Sequence, residues 1–127
     1  MENKIKLQKL LKELEKIRGK HTELVSCYFP AGSDLNKALE LINQEQAFIR
    51  NVKNKTVKKN VLSALEKITK KLKLYKKLPE NGLAIFCGNV SEKEGETDIK
   101  LWAVVPPEKI QVKLYWCDQK FELKPLV

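Results

Sequence analysis

Two helical patterns, separated by the short polar segment of residues 50–56, constrain the fold of this chain more than any other feature. Apolar residues recur every three or four positions on both sides of the segment. The stripes are Leu35, Ala38, Leu39, Ile42, Ala47 and Ile49 before it, and Val57, Val61, Ala64, Leu65, Ile68, Leu72 and Tyr75 after it. They predict an αα-hairpin with residues 50–56 at its tip. The turn at residues 31–34, Ala-Gly-Ser-Asp, contains an N-cap candidate for its first helix, and the Thr56 hydroxyl is the expected cap of its second.

Positive charge is concentrated in and after this tip. Residues 50–77 contain eleven Lys or Arg residues and one acid, Glu66, whereas the formal charge of the whole chain is only +9. The remainder of the chain is therefore nearly neutral. A concentrated positive surface attracts polyanions, which predicts a nucleic-acid-facing surface. A solvated, lysine-rich helix face fits the same composition, and charge alone does not separate the two interpretations.

The rest of the chain predicts an α+β fold. An amphipathic pattern at residues 4–18 predicts a further helix that ends near Gly19. Turn residues at 79–82 then separate the helical part from a β-prone part. The predicted strands are residues 24–29, 83–87, 99–105 and 112–117, with a last short run at 121–123. We expect one domain over residues 1–127: a mostly antiparallel four-stranded sheet packed with three helices, two of which form the hairpin.

The composition argues against several kinds of chemistry. Cys27, Cys87 and Cys117 are widely spaced and form no CxxC pair, so we expect reduced thiols rather than disulfides or a zinc site. His21 is the only histidine, and it is expected to be a loop residue without a catalytic role. The five glycines are scattered and form no phosphate-binding loop. We expect no metal, no cofactor and no enzymatic activity, which leaves a small hydrolase or nuclease without support.

The hydropathy pattern favours a cytoplasmic protein. No apolar run approaches the roughly 18 to 20 residues that a membrane span requires, and the lysine-rich N-terminus has no signal-peptide apolar block. We expect no membrane partner and a monomer.

Strand alternation at residues 112–117 leaves two arrangements open. A period of two puts Tyr115 and Cys117 on one face, and Leu114 and Trp116 on the other. If Leu114 and Trp116 face the helices, Tyr115 is exposed, and an exposed tyrosine near a basic tip suits an unpaired base. The opposite facing, with ordinary sheet packing of Tyr115, is equally compatible with the pattern.

Three motifs, in order along the chain, resemble the N-terminal, codon-reading domain of archaeal and eukaryotic class 1 peptide chain release factors. The family's Asn-Ile-Lys-Ser loop corresponds to residues 51–54, and its Tyr-x-Cys-x-x-x-Phe signature is intact at residues 115–121. Its Gly-Thr-Ser motif is matched only at Thr22. The framework at residues 58–62, 72–77 and 79–88 is also similar, so the resemblance covers essentially the whole chain.

The resemblance implies that the chain recognises a stop codon of mRNA in the ribosomal decoding site. It assigns Asn51 and Lys53 to the first uridine, and Glu45 and Tyr115 to purine selection at the second base. Cys117 and Thr22 would line the same pocket. The full set of stop-codon or RNA-binding residues implied is Asn51, Val52, Lys53, Asn54, Glu45, Tyr115, Cys117, Phe121 and Thr22.

Departures from the family pattern bear on codon acceptance. Asn54 replaces the loop serine, Phe48, Ile49 and Arg50 stand where small polar residues are usual, and His21 and Glu23 flank Thr22. A divergent release-factor paralogue, acting as a general RNA- or ribosome-binding module without full stop-codon specificity, is the alternative. The resemblance also implies ribosomal RNA and a class 2 release-factor GTPase as partners of the full-length factor.

The family hydrolyses peptidyl-tRNA through a Gly-Gly-Gln loop in a separate middle domain. No Gly-Gly-Gln occurs in this chain. We therefore expect a codon-recognition domain excised from a longer factor, without the catalytic middle domain and the GTPase-binding C-terminal domain.

Overall fold

Residues 2–127 fold into three helices and one four-stranded antiparallel sheet, which confirms the predicted α+β class. We describe it from a computed structural model that covers residues 2–127, with side chains described from Asn3 onwards. The elements are α1 (Glu2–Glu15), β1 (Leu24–Phe29), α2 (Leu35–Ile49), α3 (Lys55–Leu72), β2 (Leu83–Asn89), β3 (Ile99–Val104) and β4 (Leu114–Asp118), followed by a 3₁₀ turn (Lys124–Leu126).

The sheet has the strand order β3-β2-β1-β4, and all neighbouring strands are antiparallel. β1 lies between β2 and β4, so Val25 is opposite both Cys87 and Cys117. At the start of β1, Leu24 pairs with Asp118, the last residue of β4. The segment that precedes β1 therefore lies at the same end of the sheet as the end of β4.

Both faces of the sheet are covered. On one face, α2 and α3 pack on the alternate residues Val25, Cys27, Phe29, Leu83, Ile85 and Cys87. On the other, α1 and the C-terminal segment pack on Leu24, Tyr28, Ala84 and Phe86. Because both faces are buried, β1 and β2 are apolar along almost their whole length instead of alternating with polar residues. The molecule therefore has three layers, with the sheet in the middle.

The predicted αα-hairpin is confirmed as α2 and α3, but the cap of α3 was predicted at the wrong residue. Asp34 caps α2, and its carboxylate accepts a hydrogen bond from the Asn36 amide at 3.0 Å. The N-cap of α3 is Asn54, whose side-chain oxygen accepts from the amides of Thr56 and Val57. Thr56 is already inside the helix. Asn54 is the stronger cap because its oxygen satisfies two amides that no helical carbonyl reaches.

Several further predictions of element boundaries were wrong, including the start of β4, which lies at Leu114 and not at residue 112. α1 ends at Glu15, short of the predicted stop near Gly19, and α3 ends at Leu72, so Tyr75 packs on the core from a turn. Residues 121–123 do not form a strand. The backbone groups there bond to side chains instead: the Glu122 amide donates to Ser26 Oγ at 2.9 Å, and the Glu122 carbonyl accepts from the Tyr28 hydroxyl.

Candidate nucleic-acid interface

Three segments that carry predicted site residues meet at one end of the molecule. The pairing of Leu24 with Asp118 places the loop of residues 19–23 beside the end of β4. The same loop reaches the first turns of α3, because Asn60 Nδ2 donates to Glu23 Oε2 at 2.9 Å. α3 begins at Lys55, within the hairpin tip of residues 50–56. The tip, the loop and the end of β4 are therefore neighbours.

Tyr115 and Cys117 point from β4 toward the helical hairpin. Both pack against the core under α2 and α3, while Trp116 on the opposite side of the strand is 49% exposed. Of the two arrangements that alternation left open, the structure adopts the one in which Tyr115 is packed. The Cys117 thiol donates to the Tyr115 hydroxyl oxygen at 3.3 Å. The Tyr115 hydroxyl hydrogen is thus available for another acceptor.

Glu45 on α2 completes a cluster with these two residues. Partial burial raises the pKa of Glu45 above that of an ordinary glutamate. Burial is also the main cause of the raised pKa values of Tyr115 and Cys117, and the negative charge of Glu45 raises both further. The carboxylate is therefore within electrostatic reach of the phenol and the thiol. We call these residues the Glu45–Tyr115–Cys117 cluster.

The hairpin tip presents its polar side chains to solvent. The Asn51 amide donates to the Phe48 carbonyl and the Val52 amide to the Ile49 carbonyl, both at 3.1 Å, which tightens the turn after α2. Asn51 and Lys53 are exposed, whereas Val52 is half-buried. From Glu45 to Ile49, the last residue of α2, the helix rises about 6 Å. The tip thus begins about 7.5 Å along the helix axis from Glu45.

The cations of the tip are not neutralised by nearby acids. Across residues 2–127, the ion pair found within 4.0 Å joins Lys100 to Asp98, at 3.7 Å, and both are at the start of β3 or just before it. Arg50, Lys53 and Lys55 are exposed and have no such partner in that range. Their charges remain available to a polyanion.

One predicted site residue, Phe121, is placed differently from the rest. Phe121 is 4% exposed and lies in the core on the α1 side of the sheet, where it makes edge-to-face contacts with Phe86 and Trp102 at 5.6 and 5.8 Å between ring centroids. A buried ring on the opposite face cannot contact RNA, so we assign it a packing role instead. Thr22 is exposed in the loop of residues 19–23, at the end of the molecule where this loop meets the tip and the end of β4.

The sequence did not single out the buried pair formed by Glu23 and Asn60. Glu23 is 2% exposed and Asn60 is 4% exposed, and both line a polar cleft of about 470 Å³ beside the start of α3. Lys20, His21, Lys55 and Lys59 also line this cleft. A polar residue within the apolar stripe of α3 was the only available signal, since Asn60 directly precedes the buried Val61.

Metal and membrane features can be assessed for the described part of the chain. No group of three or more His, Cys, Asp or Glu residues within residues 2–127 could hold a metal ion. In the same range, no helix is sufficiently long and apolar to cross a membrane. The three cysteines are free thiols; Cys27 and Cys87 are buried, and burial raises the pKa of Cys87 to about 12.

The fold and the charged end define an α+β domain that presents a basic hairpin beside a half-buried polar cluster. Residues 2–127 match the family described as eRF1 domain 1. The chain belongs to this family, as the motifs at its tip and on β4 predicted.

Named relatives and solved structures agree with this assignment. The chain is 58% identical over 120 residues to peptide chain release factor subunit 1 of Pyrococcus abyssi, covering 94% of this chain and 29% of the relative. It is 36% identical to eukaryotic peptide chain release factor subunit 1 of Oxytricha trifallax over 123 residues, covering 96% of this chain and 28% of the relative. A crystal structure of the archaeal translation termination factor aRF1 superimposes with a TM-score of 0.87 at 35% identity, over 97% of this chain and 33% of that one. The chain thus spans about three tenths of the length of these curated relatives.

Proposed function

We propose that this chain acts in translation termination, as the part of a class 1 peptide chain release factor that recognises stop codons of mRNA in the ribosomal decoding site. One observation carries the proposal. The half-buried carboxylate of Glu45 is within electrostatic reach of Tyr115 and Cys117, on the helix that leads into an exposed basic tip, in a chain of the eRF1 domain 1 family. The names of the relatives favour this function over a general RNA-binding module.

The chemistry of the cluster suits the second base of a stop codon. The Glu45 carboxylate accepts hydrogen bonds, as the amino group of adenine requires. A tyrosine phenol is protonated at neutral pH, and burial raises the pKa of Tyr115 further, so the hydroxyl can donate to a purine acceptor. Because both groups are partly buried, a base that leaves either one without a partner is penalised more than it would be at an exposed site.

The tip suits the first base and its phosphate. The Asn51 amide and the Lys53 ammonium donate to uracil carbonyl oxygens, which an unpaired base exposes. Half-buried Val52 anchors the turn between them. The Asn54 oxygen is already occupied by the cap of α3, so this residue shapes the tip rather than reading a base. Thr22 would line the pocket from the neighbouring loop.

Other proposed partners would bind the exposed lysines of this domain or the other domains of a full-length factor. Exposed lysines along the tip and the start of α3 would contact phosphates of ribosomal RNA. The rest of the factor would bind a class 2 GTPase and catalyse peptide release, whereas this domain would recognise the codon without catalysing a reaction. We place the factor in the cytoplasm, where it would act as a monomer.

A codon-by-codon release assay tests the proposal. The chain is joined to the remaining domains of the Pyrococcus abyssi relative, and peptide release is measured on ribosomes programmed with each stop codon and with sense codons that differ by one base. We expect release at stop codons only. Equal release at sense codons would show a general ribosome-binding module instead.

A further inference from the structure

A buried hydrogen bond joins the loop before β1 to α3. Asn60 Nδ2 donates to Glu23 Oε2 at 2.9 Å, and the two side chains are 4% and 2% exposed. Burying a carboxylate is costly unless its oxygens are hydrogen-bonded. The pair is therefore a specific contact that holds the loop of residues 19–23 against one wall of the candidate site.

The other end of this loop is held by the segment after β4. The Gly19 amide donates to the Gln119 carbonyl at 2.7 Å, and Gln119 Nε2 donates to the Lys20 carbonyl at 3.3 Å. Gln119 follows Asp118, the last residue of β4, directly. The loop thus bridges the strand that carries Tyr115 and the helix that follows the basic tip.

Packing below the loop leaves it little freedom except toward the cleft. A Cβ atom at Gly88 of β2 would lie 2.7 Å from Leu24 Cδ2 and 3.1 Å from the Glu23 carbonyl oxygen. The backbone of Glu23 therefore rests closely on β2. The other side of the loop faces α3 and a cleft of about 470 Å³. On this side, the hydrogen bond between Glu23 and Asn60 joins the loop to α3.

We propose that the hydrogen bond between Glu23 and Asn60 is a positioning contact for codon recognition. This inference rests on the proposed function and adds two residues to it. Thr22, next to Glu23, is exposed at the site, and its position follows that of Glu23. The bond sets the place of Thr22 relative to the codon bases, and so controls how sharply stop codons are separated from sense codons that differ by one base.

An exchange of donor and acceptor tests the role of the bond itself. Asn60→Asp places two carboxyl groups against each other and removes the donor. Adding Glu23→Gln restores a bond of reversed direction, because the glutamine amide donates to the aspartate. Asn36→Asp is the control, since Asn36 is exposed near the start of α2 and lies outside the cleft.

The first measurement follows the loop without the ribosome. Amide hydrogen exchange of residues 20–23 is compared with that of the β1 and β2 amides in the 127-residue chain. Asn60→Asp should speed exchange in the loop by about tenfold while the strands stay protected, and the double variant should reverse the change. Equal exchange in all variants would overturn the positioning role, whether or not the chain reads codons.

The second measurement follows codon selection in the chimeric release factor. Asn60→Asp should lower kcat/KM at stop codons by about tenfold and reduce discrimination against one-base neighbours, and the double variant should recover both. The effect on discrimination should disappear in a Thr22→Ala background, because the bond acts through Thr22. Unchanged discrimination in Asn60→Asp, with the unaltered chimera still selective for stop codons, would overturn this inference and leave the proposed function standing. If the unaltered chimera released at sense codons, the proposed function would fail and the codon-selection part of this inference with it.

Discussion

The two faces of the sheet differ in what their side chains can do. On the α1 face, Tyr28, Phe86, Trp102 and Phe121 form a chain of edge-to-face aromatic contacts, and the Tyr28 hydroxyl is bonded to the backbone. On the hairpin face, Glu45, Tyr115 and Cys117 gather polar groups at the margin of an apolar core. On the first face the Tyr28 hydroxyl already has an internal partner, whereas on the second face we propose that the polar groups serve a ligand.

One sequence motif supplies both faces. Tyr115 and Cys117 lie on β4 and contribute to the hairpin face, but Phe121, after the chain turns at residues 118–120, packs on the α1 face. The motif therefore couples the proposed recognition residues to the core that supports them. A linear signature of this kind does not show which of its residues touch a ligand. The predictions below test this division of roles.

The largest expected effect is on stability, from Phe121→Ala. Removing a buried ring that contacts two other aromatic rings should lower the free energy of unfolding by about 3–5 kcal/mol. Denaturant unfolding followed by circular dichroism measures it. Tyr115→Phe, which removes only a hydroxyl on the hairpin face, should cost less than about 1.5 kcal/mol. Similar losses for both variants would contradict the division between the faces.

Glu45→Ala should act on codon choice rather than on stability. Loss of the carboxylate should reduce discrimination at the second codon base by a factor of about 5 to 150, the equivalent of about 1–3 kcal/mol. The measurement is kcat/KM for release at stop codons and at codons that differ in the second base. Glu40→Ala, an exposed acid on the same helix, is the control. Intact discrimination would remove Glu45 from the site.

Lys53→Ala should weaken release at every stop codon to a similar extent, because all of them begin with uridine. Losing one charged hydrogen-bond donor should lower kcat/KM by about tenfold. Lys53→Arg keeps the charge and should retain most of the activity at low salt. A loss confined to one stop codon would argue that Lys53 reads a later base.

Asn54→Ala should destabilise the start of α3 by about 1 kcal/mol, because two helix amides lose their acceptor. Asn54→Ser should be nearly neutral, since a serine hydroxyl caps as well. Thermal or denaturant unfolding of the unaltered chain and the two variants measures these differences in stability. Equal stability of the alanine and serine variants would show that the cap contributes nothing.

The smallest effect is the pH dependence of the hairpin face. Because burial raises the pKa of Glu45, this carboxyl is protonated at a higher pH than an ordinary glutamate. Second-base discrimination should therefore decline as the pH falls through the raised pKa, and a Glu45→Gln variant should not show that decline. For stability the sign is opposite. The folded chain binds this proton more tightly than the unfolded chain does, so the protonated carboxyl stabilises the fold at low pH. This contribution to the free energy of unfolding is lost as the pH rises through the raised pKa.

Comparison of prediction and structure shows what local patterns can specify. The hairpin and the strand at residues 24–29 were correctly predicted, and the N-cap of α2 lies in the predicted turn at residues 31–34, because each depends on spacing or capping within a few residues. The α3 cap and the end of the chain were not correctly predicted. Asn54 competes with a nearby threonine for the same role, and Phe121 is held by aromatic partners that are distant in sequence.

For the candidate site, the motifs named residues but not their surroundings. The motif named Tyr115, yet alternation allowed either facing, and the choice depends on which helices cover each face of the sheet. The partnership of Glu23 with Asn60 spans 37 residues, and no pattern within either segment predicts it.

The sequence by itself determined the helical hairpin, its charge and the motifs that assign the chain to its family, since these follow from local periodicity and residue identity. The tertiary structure alone decided that Tyr115 and Cys117 lie beneath α2 while Phe121 lies on the other side of the sheet. The physical reason is that a strand exposes two faces with the same period, and only packing against distant segments determines which face meets which layer.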